Sequence, residues 1–227
     1  MNTPIAIIDA RSPEESFDTL AKQFHVVPFI TQGITYDAIA GHPDIFMAQG
    51  ETLILAPNCP QNIIDELSTN SYQFGKQQIG SSLQDSTPYN CVITKQFLIH
   101  KKECTDSTIL ALDKKCIDVP QAYTRCNTIE IAPNTFITSD KAIHKSLREH
   151  NCESLYVSPN GIQLPPYKYG FIGGCMGKFG DTIYINGSLS QYSEGNAIRE
   201  FITKHHCAIV ELHGGQLYDG GGIFLLQ

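Results

Sequence analysis

No apolar run in the sequence approaches the roughly 20 residues that cross a bilayer as a helix, so a helical membrane span is excluded. Nor is there a concentrated basic patch. Sixteen Lys and Arg stand against twenty-three Asp and Glu, a net charge of −7, and acids flank the densest basic pairs, Lys101-Lys102 and Lys114-Lys115. A nucleic-acid backbone is repelled by such a surface, and no nucleic-acid partner is expected. The N-terminal stretch lacks the basic start and sustained apolar segment of a secretory signal, because Ile5 to Ile8 runs straight into Asp9 and Arg11. A cytoplasmic location is therefore expected. The eight cysteines (59, 91, 104, 116, 126, 152, 175 and 207) contain no Cys-x-x-Cys pair, which removes the usual zinc-ribbon and redox motifs. They are expected to be reduced thiols, mostly buried. The sequon Asn186-Gly187-Ser188 then has no role.

No phosphate loop is present either. The turn after the first apolar run reads Asp9-Ala-Arg-Ser-Pro13. Gly177-Lys178 lacks both the upstream glycine, since Ile172 stands there, and a following Ser or Thr. Metal-ligand spacing is missing: His205-His206 sits at a helix end, and His213 has no second ligand at a fixed interval. No metal and no cofactor are expected. With 41% apolar residues in 227, the chain can bury a real core, so disorder is excluded.

What is present is a repeat. Helical segments open at Ser12-Pro13 with Glu15 as a capping-box acid, at Pro60, at Asp106, at Ser139 or Asp140, and at Ser193. Each has a β-like run before it, namely Ile5–Asp9, Thr52–Ala56, Gln96–His100, Thr135–Thr138 and Thr182–Asn186. Another follows it: His25–Phe29, Tyr72–Phe74, Cys116–Val119, Ser154–Val157 and Cys207–Glu211. A further run leads into the next unit, at Asp44–Met47, Asn90–Ile93, Cys126–Ile131, Gly170–Gly173 and Gly222–Leu226. The unit is strand, strand, helix, strand, about 45 residues long, and such units must stack on neighbours to bury their faces. The last run has no helix after it and the first helix has no leading strand before it. The two ends complement one another, and a closed five-fold β/α ring of ββαβ units spanning 1–227 as a single domain is expected. An open doubly wound sheet would show about one strand per helix, not three.

A ring of this kind resembles the pentein fold, the five-bladed β/α propeller of the guanidino-group-modifying enzymes. Five segments are similar to an uncharacterised bacterial family of that fold: His42–Met47, Gln121–Cys126, Ile137–Asp140, Gly170–Gly174 and Asp219–Phe224. The resemblance runs from about residue 40 onward. It implies a site where the leading strands converge, a cysteine that attacks a guanidinium carbon, and a His and carboxylates from other units that move protons and hold the cation. The deiminase nucleophile belongs to a Gly-Gly-Gly-x-His-Cys run. Here Gly220-Gly-Gly-Ile-Phe-Leu225 puts Phe224 and Leu225 at the His and Cys positions.

The candidate ligand-binding residues are His42, Asp44, Asn90, Gln121, Tyr123, Gly174, Cys175 and Asp219. Cys175, on a glycine-rich stretch, is the candidate relocated thiol; Cys91 and Cys126, beside Asn90 and Asn127, are weaker ones. Each has a plainer role available: packing for the thiols, a turn cap for Asp44, and a helix N-cap for Asp140. His42-Pro43-Asp44 also matches a chaperone-recruiting J-domain tripeptide, which belongs between two long helices, whereas a strand is expected here. Three functions follow: a pentein that binds a small polar ligand without the usual hydrolase cysteine, an active guanidino-group hydrolase with a relocated thiol, or a non-enzymatic interaction module like the ribosomal anti-association factor of the same fold.

Overall fold

The computed structural model describes residues 3–67 and 71–227. Five three-stranded sheets are built from them. The first centres on β1 (Ile5–Asp9), with β2 (His25–Phe29) parallel to it. The second holds β3 (Met47–Gln49), β4 (Leu53–Leu55) and β5 (Tyr72–Phe74), and the third β6 (Val92–Ile93), β7 (Phe97–His100) and β8 (Lys115–Asp118). The fourth holds β9 (Thr128–Ala132), β10 (Thr135–Thr138) and β11 (Glu153–Tyr156), and the fifth β12 (Met176–Phe179), β13 (Thr182–Ile185) and β14 (Ala208–Glu211). In each of these four the leading strand is antiparallel to the middle one and the last is parallel to it. The first sheet takes its antiparallel strand from β15 (Phe224–Leu226), with Ile5 opposite Leu226 and Ile7 opposite Phe224.

A parallel step needs a crossover, and five helices provide it: α1 (Glu14–Ala21), then α3 (Gln61–Glu66), α4 (Ser107–Leu110), α6 (Lys141–Glu149) and α7 (Gly195–Lys204). The other two, α2 (Pro43–Phe46) and α5 (Thr124–Asn127), are single turns that run directly into β3 and β9. Asp106 and Asp140 cap their helices as expected, accepting Thr108 N–H at 2.7 Å, and Ala142 N–H and Ile143 N–H at 2.8 and 2.9 Å. Ser12 does not cap α1. Pro13 is the flanking residue there and makes no side-chain cap, while the Ser12 hydroxyl accepts from Asn186 at 3.0 Å.

The apolar interior is divided between neighbouring sheets. Val92, Ile117, Phe136 and Ile143 fill the space between the third and fourth sheets, Ile137, Ile183 and Ile198 that between the fourth and fifth, and Ile8, Leu20, Tyr184 and Leu225 that between the fifth and first. A larger cluster with Phe29, Phe46, Ile54 and Leu98 joins the first three. Each fully buried Ile, Leu or Phe stabilises this stacking by about 1.5–3 kcal/mol. The leading strands also neighbour one another, β3 with β6, β6 with β9, β9 with β12 and β12 with β15. The Gln49 amide then links β3 to β15, donating to Leu225 O at 2.9 Å.

Three of the expected leading runs are displaced by helical turns, the one at Cys126–Ile131 because Cys126 and Asn127 end α5 and β9 begins at Thr128. Residues 44–46 form the turn of α2 because Pro43 suits the first helical position and restarts the chain in helical geometry. Gly170–Gly173 is not a strand: residues 173–175 make a 3-10 turn, and β12 begins at Met176. Among the described residues no helix is long and apolar enough to cross a membrane.

Candidate functional site

The residues just before the five leading strands come together. His42 and Asp44 precede β3, Asn90 precedes β6, Arg125 and Cys126 precede β9, Gly174 and Cys175 precede β12, and Asp219 precedes β15. The single turn α5 is held by Asn90, whose backbone O accepts from Thr124 N–H and Arg125 N–H, each at 3.1 Å. The Asn90 side chain adds two more: Oδ1 accepts from Arg125 N–H at 2.9 Å and Nδ2 donates to the Cys126 sulfur at 3.3 Å. Cys126 Sγ donates to Asp44 Oδ2 at 2.9 Å, across 82 residues of sequence.

His42, Cys126 and Asp219 close the group, each offering an atom within 4.8 Å of the other two. Asp219 is held on both oxygens: Oδ2 accepts Phe171 N–H at 2.8 Å and Oδ1 accepts Gly221 N–H at 3.1 Å. Gly174 is the residue that lets it sit there, since any side chain at 174 would collide with the Asp219 carboxylate. Both His42 nitrogens and Asp44 Oδ1 have no hydrogen-bond partner. All of these side chains except that of Arg125 belong to fully or almost fully buried residues.

Burial dominates the electrostatics. It pushes Asp44 up to about 7 and Asp219 up to about 6, against the pull of the Cys126 hydrogen bond on Asp44 and of His42 on Asp219. It lowers His42 and, with the nearby carboxylates, holds the Cys126 thiol well above its ordinary value. At neutral pH the group is therefore a protonated thiol and a neutral imidazole beside two carboxyls that burial makes easier to protonate than free ones.

This floor opens into a cavity of about 490 Å³, in the range of small-molecule sites. Its walls are mostly aromatic and aliphatic, from Tyr36, Ile39, Leu83, Tyr123, Leu164, Tyr167, Tyr169 and Phe171, with the cationic Lys168 among them and His42, Cys126 and Asp219 at the base. The Tyr123 hydroxyl pairs with Ser86 Oγ at 2.7 Å and with Tyr36 at 3.1 Å, fixing one wall. Arg125, next in sequence to Cys126, lines a separate cavity of about 470 Å³ with Gln49, Thr94, Lys95, Glu130 and Lys178. Its guanidinium donates to Gly173 O and Met176 O at 2.6 and 2.9 Å.

Of the residues singled out in the sequence, His42, Tyr123 and Asp219 line the cavity, Asp44 and Asn90 lie behind Cys126, and Gly174 backs Asp219. Gln121 is a loop brace, accepting Tyr123 N–H at 3.0 Å and reaching Asp140 at 3.4 Å. Cys175 is core: it is fully buried among Ile172, Met176 and Ile185 and donates to Phe171 O at 3.3 Å. The thiol at the cavity is Cys126, and its signal in the sequence is its position, just before a leading strand as His42-Pro43-Asp44 is.

A family model matches residues 7–224, and its description is a family of unknown function, DUF6873. The chain belongs to the DUF6873 family. No curated protein matches it. The match to DUF6873 includes every residue of the cluster just described, from His42 to Asp219.

Proposed function

We propose that the chain is a single-domain, five-bladed β/α ring of the pentein type whose central pocket hydrolyses a small guanidinium or amidinium compound through Cys126. Support for the ring comes from the pairing of β15 with β1 and from the leading strands that neighbour one another in cyclic order. Support for the chemistry comes from one observation, the convergence of a thiol, an imidazole and a carboxylate on the floor of a largely aromatic-walled cavity, with a second carboxylate, Asp44, hydrogen-bonded to the thiol from behind.

The resting thiol is a poor nucleophile. A planar cation entering between Asp219 and the aromatic faces changes that, because a positive charge beside the sulfur favours its ionisation. The Cys126 proton passes to Asp44, which already accepts its hydrogen bond. The sulfur bonds to the central carbon, a C–N bond breaks, and the leaving amine takes the proton that Asp44 received. Water then adds to the same carbon and the C–S bond breaks, releasing a carbonyl product and returning the proton to sulfur.

The test is release of citrulline, urea or ammonia from arginine-like substrates, retained in Cys175→Ala and abolished in Cys126→Ala. Turnover that survives Cys126→Ala overturns the assignment. A binding protein without turnover is the second reading, favoured by Phe224 and Leu225 in the core where a deiminase carries His and Cys. It predicts saturable binding of a guanidinium compound with no product.

A further inference from the structure

The cavity floor presents one nitrogen, one sulfur and one oxygen donor from three distant stretches of chain, within 4.8 Å of one another. The His42 ring, 1% exposed, leaves both nitrogens without a partner. A buried polar group left unpaired costs about 1–3 kcal/mol, and the Asp219 backbone and carboxylate are groups that face this ring. Asp219 is the opposite case. Two backbone N–H groups orient its carboxylate while each oxygen keeps a second lone pair, which is how ligating carboxylates are held ready for an ion. Asp44, hydrogen-bonded to the sulfur at 2.9 Å, stands behind the third donor.

We infer that His42, Cys126 and Asp219 form a three-ligand site for a divalent transition-metal ion of the zinc type, with the fourth position open to the 490 Å³ cavity. The donor set selects the ion: a thiolate and an imidazole exclude magnesium and calcium, and zinc accepts nitrogen, sulfur and oxygen together. Charge agrees as well, because a thiolate, a carboxylate and a neutral imidazole around a dication sum to zero, so the buried complex carries no net charge. Tetrahedral bonds of about 2.0–2.3 Å separate ligand atoms by about 3.3–3.8 Å, so the ion draws the three side chains inward by at most about 1.5 Å. Cys126 loses its proton as the metal–sulfur bond forms, and Asp44, which already accepts its hydrogen bond, is the nearest base to receive it. Three protein ligands and an open position are the arrangement of a reactive zinc centre rather than a structural one. An ion here takes the same sulfur that the hydrolase reading uses, so metal and nucleophile are alternatives at one atom. The inference is independent of turnover because it is read by binding.

The full chain, reduced and stripped with a chelator, is titrated with Co²⁺ and with Zn²⁺ against a chromophoric competitor. One equivalent should bind, with a thiolate-to-cobalt charge-transfer band and the strong visible bands of four-coordination. Cys104 and Cys116, the two thiols that are not buried, are controls. Cys104→Ser/Cys116→Ser should keep the site, and Cys126→Ser should weaken Zn²⁺ binding at least about 100-fold and remove the charge-transfer band. X-ray absorption of the zinc-loaded Cys104→Ser/Cys116→Ser protein, which does not depend on how Cys126→Ser folds, should give one sulfur and the remainder nitrogen or oxygen. Absence of stoichiometric binding, a band that survives Cys126→Ser, or a zinc shell with no sulfur or with more than one overturns the site. Loss of metal binding with Cys126-dependent turnover intact would remove this inference and leave the hydrolase reading standing.

Discussion

Asn90 grips Cys126 at both ends of the residue: its Oδ1 accepts the Cys126 backbone N–H at 3.2 Å and its Nδ2 donates to the Cys126 sulfur at 3.3 Å. One buried amide thus sets the position of α5 and the direction of the thiol. Asn90→Ala should destabilise the protein by about 2 kcal/mol, since it leaves buried N–H groups unpaired. Urea unfolding measures this, and a variant as stable as the wild type would show that α5 is held by other contacts.

The cysteines should separate under native alkylation. Cys116 is the exposed thiol and Cys175 is fully buried, so iodoacetamide followed by peptide mass spectrometry should label Cys116 first and leave Cys175 unmodified until the protein unfolds. Cys126 has access through the cavity, and its labelling should rise when a small cationic ligand ionises the sulfur and fall when a bulky one fills the pocket. Rapid native labelling of Cys175 would contradict its place in the core.

Two glycines make a matched pair. A methyl group at Gly174 meets the Asp219 carboxylate, whereas one at Gly214 meets nothing within 4 Å. Gly174→Ala should cost about 3 kcal/mol and displace Asp219 from the floor, and Gly214→Ala should stay within about 0.5 kcal/mol of the wild type. Equal melting temperatures for the two variants would show that the Asp219 loop yields freely.

His100 supplies a pH dependence away from the site. Its Nε2 donates to Ala122 O at 2.8 Å and its Nδ1 pairs with the Thr105 hydroxyl at 2.7 Å, so the ring is buried in its neutral form. Burial lowers its pKa to about 4. The unfolded chain therefore takes up a proton near pH 6.5 that the folded chain refuses until about pH 4, and stability falls as pH drops through that window, by about 3 kcal/mol in all. Denaturant midpoints at about pH 7 and about pH 4.5 should differ less in His100→Gln than in the wild type. An equally steep loss in both would assign the effect to another group.

Deleting residues 223–227 should abolish the cooperative melt. Phe224, Leu225 and Leu226 are buried, and at about 1.5–3 kcal/mol each their loss is comparable with the whole stability of a domain. A truncated chain that melts like the wild type would mean that β15 contributes little to β1.

The repeat was legible because each unit writes its strands as short apolar runs and its helices with caps such as Asp106 and Asp140. The turns were less so. Ile45, Phe46 and Met47 have the composition of a strand, and only Pro43 marks the helical turn that carries Asp44 inward. A quarter of the twelve-residue cavity lining was legible from residue type: His42, Tyr123 and Asp219 line it. Cys126 stood out less than Cys175 because glycines around a thiol suggest access, while here Gly173 and Gly174 make room for the α5 backbone and for Asp219. The aromatic wall from Tyr167 to Phe171 could not be found by periodicity, since it comes from a segment without regular structure that reaches the site through loop packing.

The closure of β1 by β15 has a kinetic side. β2 reaches β1 after one short helix, but the opposite edge of β1 stays bare until residues 224–226 arrive from the other end of the described chain. Loop closure over that separation is slow, so a refolding molecule spends time with four sheets able to complete themselves and one with an open strand edge. That species is the one able to pair with a second chain, which makes protein concentration during refolding the variable that decides between the folded chain and aggregate.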